Sequence, residues 1–143
     1  MNADQIKGWL NSRSVSLETV AGELRYVHPS RETSLLVLRG LNQSNVIPVR
    51  SALLGTVYET LSGASIGNGH IVIASNLVGG VDVSHGFTIP DLGEMRTHAQ
   101  RLDMPLNADD DVFMQVAGWM FVFAVDSRGV VRRFDRDFNE RQF

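Results

Sequence analysis

Cysteine is absent from this sequence of 143 residues, and no histidine pair shows the spacing of a metal-binding motif. Without cysteine the chain has no disulfide, no thiolate nucleophile and no Cys-ligated zinc, which fits a reducing compartment. No apolar run approaches the roughly 20 residues that a membrane-spanning helix needs. The first residues, MNADQIKGWLNSR, lack the basic and apolar regions of a signal peptide. These absences predict a soluble, cytoplasmic protein.

Lysine is nearly absent as well, since Lys7 is the single lysine beside twelve arginines. Arginine recognises carboxylates through paired hydrogen bonds, although the composition of a genome produces the same bias. The net charge is −3, from 13 basic and 16 acidic residues, whereas nucleic-acid-binding proteins usually carry a basic excess. A nucleic-acid partner is therefore not expected. The 43% of hydrophobic residues is enough for the core of one domain, predicted to span residues 1–143.

Apolar residues at helical spacing predict helices in three parts of the chain. Residues 3–27 are predicted to form one or two short helices, with Ser14 or Ser16 as the N-cap of the second. A further helix is predicted to begin at Pro48, because proline suits the first turn of a helix, and to stop at Gly63. Another is predicted over residues 90–102. Its predicted cap is Thr88 or Ile89, with Pro90 in the first turn and Asp91 near the positive end of the helix dipole.

Short β-branched and aromatic runs predict strands around these helices. Residues 34–40 and 70–75 are two of them, and the second follows a tight turn at Asn68-Gly69. Near the C-terminus, three successive strands are predicted over 112–117, 119–126 and 130–135. The middle one is apolar on both faces, so it is expected to lie centrally with helices on at least one face, and the third is expected nearer an edge. A closing helix after residue 135 completes the prediction.

The fold class predicted from this order is α+β, a single domain with a mostly antiparallel central sheet and helices packed on it. Trp119, Phe121 and Phe123 are expected to share one face of the middle strand. We expect them to be largely buried, together with the residues of the predicted helices that share the core, Leu54, Tyr58 and Leu92.

Two groups of residues are candidates for chemistry or binding. Asp82 and His85 form a D-x-x-H pair in a glycine-rich loop, and with His70 or His98 they could build a metal or acid–base site. The bland alternative is a loop aspartate bonded to backbone amides beside a surface histidine. No metal and no cofactor are expected, and the glycines are interpreted as turn residues because the first cluster precedes a strand rather than a helix. The triplet 109–111 is either a contact for a basic partner or a solvated loop.

A Pro-led helix running into YETLSGASIGNGHIVI (58–73) resembles the helix, small-residue turn and first strand of SUKH superfamily domains. The later order is similar too: a helix at 90–102, then DVFM, GWMFVFAVD, a glycine turn and VVRRFD. The resemblance covers roughly residues 45–138. This superfamily includes the fungal Smi/Knr cell-wall regulator and many bacterial toxin-immunity proteins.

The resemblance implies a non-enzymatic domain that binds another protein, in bacteria an immunity protein that neutralises its cognate toxin by direct contact. An acidic surface would suit a basic toxin, because opposite potentials speed encounter. The candidate contact residues are Asp82, His85, Phe87, Asp109, Asp110 and Asp111. The alternative from another class is a small enzyme or ligand-binding protein with a site around His70, Asp82, His85 and His98. A homo-oligomeric structural module is a third.

Overall fold

The computed structural model describes residues 16–20, 23–27, 34–38, 45–67, 69–83, 87–135 and 140–142. Within these ranges the chain forms two helices, α1 (Ala52–Thr60) and α2 (Leu92–Arg101), and eleven strands. The strands are β1 (Ser16–Val20), β2 (Glu23–Val27), β3 (Ser34–Leu38), β4 (Gly63–Ile66), β5 (Ile71–Ile73), β6 (Val81–Val83), β7 (Phe87–Ile89), β8 (Asp111–Val116), β9 (Phe121–Val125), β10 (Val131–Asp135) and β11 (Glu140–Gln142).

Nine of these strands form one antiparallel sheet in the order β1-β2-β3-β4-β5-β8-β9-β10-β11. β6 and β7 pair with each other as a separate antiparallel hairpin. The predicted α+β class with a mostly antiparallel sheet is therefore confirmed. The strands predicted at 34–40, 70–75, 112–117, 119–126 and 130–135 correspond to β3, β5, β8, β9 and β10 within a few residues at each end. Residues 39 and 40 lie outside the described residues.

Both helices pack on the sheet, and they share one cluster of buried side chains. Because side chains alternate along a strand, the partners Val72, Gln115, Val122 and Phe134, which lie opposite one another across β5, β8, β9 and β10, share one face. Val122 and Phe134 are buried in a cluster with the inward side chains of α2 and with Leu54 of α1; we call this the α2 face. The other face carries a second row, in which Val37, Ala64 and Ile73 pack against residues of α1. This second face is the α1 face.

α1 begins at Ala52 rather than at Pro48. Ser51 is its N-cap, with an extended backbone and a side chain that accepts a hydrogen bond from the Leu54 amide at 3.4 Å. A serine oxygen satisfies one of the amides that the first turn leaves without an intrahelical partner. The helix therefore starts after Ser51 and not at Pro48. The predicted stop at Gly63 is also wrong, because the chain is already extended at Leu61 and Gly63 is the first residue of β4.

α2 begins with a reciprocal capping box. Asp91 accepts a hydrogen bond from the Glu94 amide at 2.7 Å, and the Glu94 carboxylate accepts one from the Asp91 amide at 2.9 Å. Two amides are thereby satisfied at once. The predicted cap at Thr88 or Ile89 is wrong by two to three residues, because both residues belong to β7.

Two predictions at the ends of the chain are wrong. Residues 16–20 and 23–27 form the hairpin β1–β2 rather than a helix, and β2 pairs along its whole length with β3. The spacing of Leu17, Val20, Ala21 and Leu24 suits a helix, but pairing with β3 supplies backbone partners that the spacing does not reveal. Residues 3–15 lie outside the described residues. At the other end, β11 replaces the predicted closing helix and pairs with β10. β10 is therefore next to the edge strand and nearer the edge than β9, as predicted.

β9 lies between β8 and β10, and its buried side chains pack with residues of both helices on one face, in agreement with the prediction of helices on at least one face. Phe121 and Phe123 lie on the face opposite Val122 and are half-buried, so they are less enclosed than Leu54 and Leu92, which were expected to be buried with them and are 2% and 4% exposed. The fully buried side chains of this region are instead on the α2 face, with Val122 2% and Phe134 0% exposed.

Trp119 does not share a face with the two phenylalanines, because a turn precedes β9. Ala117, Gly118 and Trp119 all have left-handed backbone, with φ values of 54°, 62° and 72°. Three such residues in succession change the direction of the chain, and the Trp119 ring lies tilted by 43° against the ring of His98 in α2, with 4.1 Å between the ring centroids. Non-glycine residues rarely adopt this conformation, so no periodicity rule could have given the orientation of Trp119.

Candidate functional site

The acidic triplet at the start of β8 holds three different parts of the chain together. Asp109 accepts hydrogen bonds from the amide and the hydroxyl of Ser127, at 3.1 and 2.6 Å, in the turn between β9 and β10. Asp111 accepts one from the Arg50 amide at 3.0 Å, just before α1. Each carboxylate is thus engaged inside the molecule.

Asp110 occupies the most enclosed position of the triplet. Its side chain is 0% exposed and forms an ion pair with Arg132 of β10, which is also buried. The same carboxylate accepts a hydrogen bond from the Asn107 amide at 2.6 Å, and the Asp110 carbonyl accepts one from the Arg96 guanidinium of α2. The expectation of a solvated surface is therefore wrong for Asp110. Replacing all three aspartates would destabilise the fold, because their carboxylates bond to other parts of the chain. These internal bonds argue against the triplet as a binding surface for a partner.

The hydrogen bonds around the turn 126–130 also shift two acid equilibria. The hydroxyl and the amide of Ser127 donate to Asp109 and hold the pKa of its carboxyl below the ordinary value of 3.8. The Val130 amide, followed by Arg128, does the same for the pKa of Asp126. Hydrogen bonds to the charged form of a carboxyl stabilise that form. Both carboxyls therefore stay ionised to a lower pH than an ordinary aspartate does.

The other predicted site residues are spread over three places. Asp82 is exposed on β6 and accepts a hydrogen bond from the Thr88 hydroxyl at 2.7 Å. His85 lies outside the described residues, and Phe87 is described only as the first residue of β7. Their role in binding stays a prediction.

His70 and His98 both lie beside the turn 117–120. The His70 carbonyl accepts a hydrogen bond from the Ala117 amide at 2.7 Å, and the His98 ring contacts the Trp119 ring. Across the ranges described above, no three histidine, aspartate or glutamate side chains converge as they would around a metal ion. An enzyme or ligand site built on these histidines and Asp82 stays a prediction.

A concave site of about 510 Å³ lies beside α1. We call it the α1 cleft. One wall is the extended segment 46–49, another is the side of α1 that carries Gly55, Tyr58 and Glu59, and the rest is formed by Ser62, Asn76 and Leu77. Sequence reasoning missed it, because its walls come from three separate segments and none carries a motif.

Backbone hydrogen bonds fix the walls of the α1 cleft. The Ile47 amide donates to the Asn76 carbonyl at 2.6 Å, and the Val78 amide donates to the Asn45 carbonyl at 2.9 Å. Arg50, the residue after the wall segment 46–49, makes two hydrogen bonds. Its amide donates to the Asp111 carboxylate, and its guanidinium donates to the Ala108 carbonyl at 2.8 Å. A site held by backbone bonds on both sides needs little ordering when it binds, and ordering is one of the main costs of association.

The inside of the α1 cleft is part apolar and part polar. Tyr58 donates a hydrogen bond of 2.5 Å to the Ala74 carbonyl. Burial, reinforced by the charge of Asp111, raises the pKa of this phenol above its ordinary value of 10.0, so it stays neutral. Asn76 is buried, and its Oδ1 has no hydrogen-bond partner among the described residues. Glu59 is exposed.

The rim of the α1 cleft carries exposed apolar side chains. Val46, on the wall segment, is 42% exposed, and Val78, next to Leu77, is 63% exposed. Pro48 is exposed on the same segment. Large exposed apolar groups gathered around a concave site are typical of binding surfaces.

No protein-family model, curated protein or solved structure matches this chain. Neither helix in the described ranges is long and apolar enough to cross a membrane.

Proposed function

We propose that this chain is a protein-binding domain that uses the α1 cleft and its rim to hold a partner protein. The observation that carries the proposal is the exposed apolar rim, Val46 and Val78, around a concave site with fixed walls. A small ligand would be enclosed by the cleft and would leave the rim in water. A protein partner covers both, and removal of apolar surface from water is the main driving force of association.

The biological setting we propose is toxin immunity, in which the domain neutralises its cognate toxin in the cytoplasm by direct contact. This part rests on the resemblance of residues 45–138 to SUKH immunity domains, whose membership we likewise propose. The net charge of −3 supports a basic toxin, because complementary charge raises association rates. Neutralisation then needs only occupation of the toxin surface, and the domain supplies no chemistry of its own.

A site-specific photocrosslinker tests the proposal. We would place p-benzoylphenylalanine at Val78 and, in a matched control, at Met120, which is 42% exposed in the turn 117–120. A protein crosslinked from the source cells at Val78 but not at Met120 is then purified, and its dissociation constant is measured by interferometry.

Val78→Asp should weaken this purified complex at least tenfold, which corresponds to about 1.4 kcal/mol, while Met120→Asp should leave it unchanged. If the crosslinked protein is a toxin, wild type should block its activity at equimolar ratio and Val78→Asp should not. Equal affinities of wild type and Val78→Asp, with both variants folded by circular dichroism, would refute the use of the cleft.

A further inference from the structure

Resting on the proposed function, we infer that the α1 cleft receives an aromatic side chain with a polar edge, a tryptophan or tyrosine of the partner, which lies against the backbone of α1 at Gly55. The proposed function concerns the surface that is covered, whereas this inference concerns the group that enters the cleft. Three observations carry it: a glycine inside a helix, the room for a side chain at that glycine, and the mixed character of the cleft walls.

The first observation is the place of Gly55 within α1. It is the fourth of the nine residues of this helix, and its amide donates to the Ser51 carbonyl at 2.9 Å, as in a regular helix. Its φ is not among the positive values of the chain, so its conformation is open to any residue. Glycine is less favourable than alanine inside a helix, because it loses more conformational freedom on folding. Gly55 therefore weakens α1, and the helix geometry does not require it.

The second observation is that the packing leaves room for a side chain at Gly55. A Cβ atom there would lie 3.7 Å from Cγ2 of Val49, which is an ordinary van der Waals contact. At Gly80, by contrast, a Cβ atom would lie 2.6 Å from the carbonyl oxygen of Ile89, so the fold itself requires that glycine. Gly55 lines the α1 cleft, and close approach to backbone is one of the uses of glycine. An occupant of the cleft accounts for Gly55, because the missing side chain leaves helix backbone for it to touch.

The walls of the α1 cleft indicate which kind of group lies on this backbone. Five lining residues have apolar side chains, namely Val46, Ile47, Pro48, Val49 and Leu77. Polar side chains in the walls are those of Tyr58, Glu59, Ser62 and Asn76. A tryptophan or tyrosine side chain combines a large apolar ring with one N–H or O–H at its edge. It therefore matches walls of both kinds, whereas an aliphatic side chain brings no donor to the polar wall.

The shape and the size of an aromatic ring suit the same place. A planar ring reaches van der Waals distance from the helix backbone where no Cβ atom stands in between. The volume of about 510 Å³ lies within the range of about 300–1,000 Å³ that is typical of ligand sites. Aromatic side chains buried in pockets contribute much of the binding free energy at protein interfaces. The cleft is thus a receptor for one anchoring side chain of the partner.

Nuclear magnetic resonance titration of the full chain tests the inference with three probes: N-acetyl-tryptophan methylamide, N-acetyl-leucine methylamide and 3-methylindole. The blocked tryptophan should shift the amide signals of Ile47, Gly55 and Leu77 saturably. It should bind at least threefold more tightly than the blocked leucine, which is apolar but has neither ring nor donor. Equal binding of these two probes, or no saturable shift of the three signals, would overturn the inference.

A single methyl group tests the contact with the backbone of α1. Gly55→Ala should raise the melting temperature by about 2–3 °C and yet weaken the binding of the blocked tryptophan at least threefold. Gln100→Ala, an exposed control in the middle of α2, should leave that binding unchanged. A purely structural role of Gly55 predicts the opposite pattern, with lower stability in Gly55→Ala. Wild-type affinity in a stabilised Gly55→Ala would contradict the contact that we infer.

The source of the ring is decided by the third probe. Blocked tryptophan that binds as tightly as 3-methylindole, or more tightly, supports a side chain of the partner. Tighter binding of 3-methylindole would assign the cleft to a free small aromatic molecule and rule out the partner side chain. Loss of partner binding in Val78→Asp but not in Gly55→Ala, with no preference for the blocked tryptophan, would sink this inference and leave the proposed function standing.

Discussion

Replacing the buried Asp110 with asparagine should lower the stability of the folded protein strongly. The carboxylate is 0% exposed and paired with Arg132, which is 7% exposed. Asparagine keeps the size and the bond from the Asn107 amide but removes the charge that faces the guanidinium. A buried charge whose partner is removed cannot recover its hydration, and such changes cost about 3–5 kcal/mol.

The magnitude converts into a large shift of the melting temperature. At about 2.1 cal/mol/K per residue, a chain of 143 residues has an unfolding entropy of about 0.3 kcal/mol/K. A loss of 3–5 kcal/mol therefore lowers the melting temperature by roughly 10–17 °C. Urea unfolding followed by far-ultraviolet circular dichroism gives the free energy directly, since it falls linearly with denaturant.

A double-mutant cycle guards the prediction against simple misfolding. Asp110→Leu with Arg132→Met removes both charges, and this pair should lose less stability than the two single variants added together, because the two charges interact with each other. Asp109→Asn is the matched control in the neighbouring position and should have a smaller effect than Asp110→Asn. A loss below about 1 kcal/mol for Asp110→Asn, or purely additive single variants, would refute a buried ion pair here.

Two further predictions concern the core and the response to acid. Phe134→Ala should lower the free energy of unfolding in urea by about 3–5 kcal/mol because the ring is fully buried. Phe121→Ala should lower it by less than half of that because its ring is half-buried. Equal losses would contradict the assignment of the two sheet faces. The lowered pKa values of Asp109 and Asp126 add stability that is complete well above pH 3.8 and declines as the pH falls through their lower folded-state values. The urea midpoint should therefore fall in that acid range, and less steeply in Ser127→Ala; identical slopes would argue against the Ser127 bonds as the cause.

The sequence predicted the strands of the C-terminal half because β-branched and aromatic runs there are long and bounded by glycine turns. It failed at Leu17 and Leu24, where a few apolar residues fit a helical spacing and only pairing with β3 decides the outcome. The helix caps were misplaced for a similar reason. Ser51 and Asp91 act through one or two hydrogen bonds, and a nearby proline gives an equally good local signal.

The faces of β9 show a different limit of sequence reasoning. Alternation separates Phe121 and Phe123 from Val122 and Ala124, but it does not say which set the core will enclose, and the larger residues turned out to be the less buried. The α1 cleft could not be predicted, because its walls, residues 46–49, 55–62 and 76–77, are separate in the sequence. Tertiary contacts such as the hydrogen bond from the Ile47 amide to the Asn76 carbonyl bring them together.

The order of the strands carries a consequence for how the sheet assembles. β1 to β3, β4 to β5 and β8 to β11 are three blocks in which neighbours along the chain are neighbours in the sheet. The blocks are joined by residues 39–62, which contain α1, and by residues 74–110, which contain α2. Pairing within a block closes a short loop and is fast, whereas pairing between blocks closes a long one and is slow.

The junction between β5 and β8 has only three register pairs, Ile71 with Val116, Val72 with Gln115 and Ile73 with Met114. Three pairs give less compensation for closing a long loop than the five pairs that join β8 to β9. Amide exchange should therefore report opening between the blocks at lower free energy than opening within β8 to β10. The sheet would then come apart in blocks, along the line where β5 meets β8, and not strand by strand from its edges.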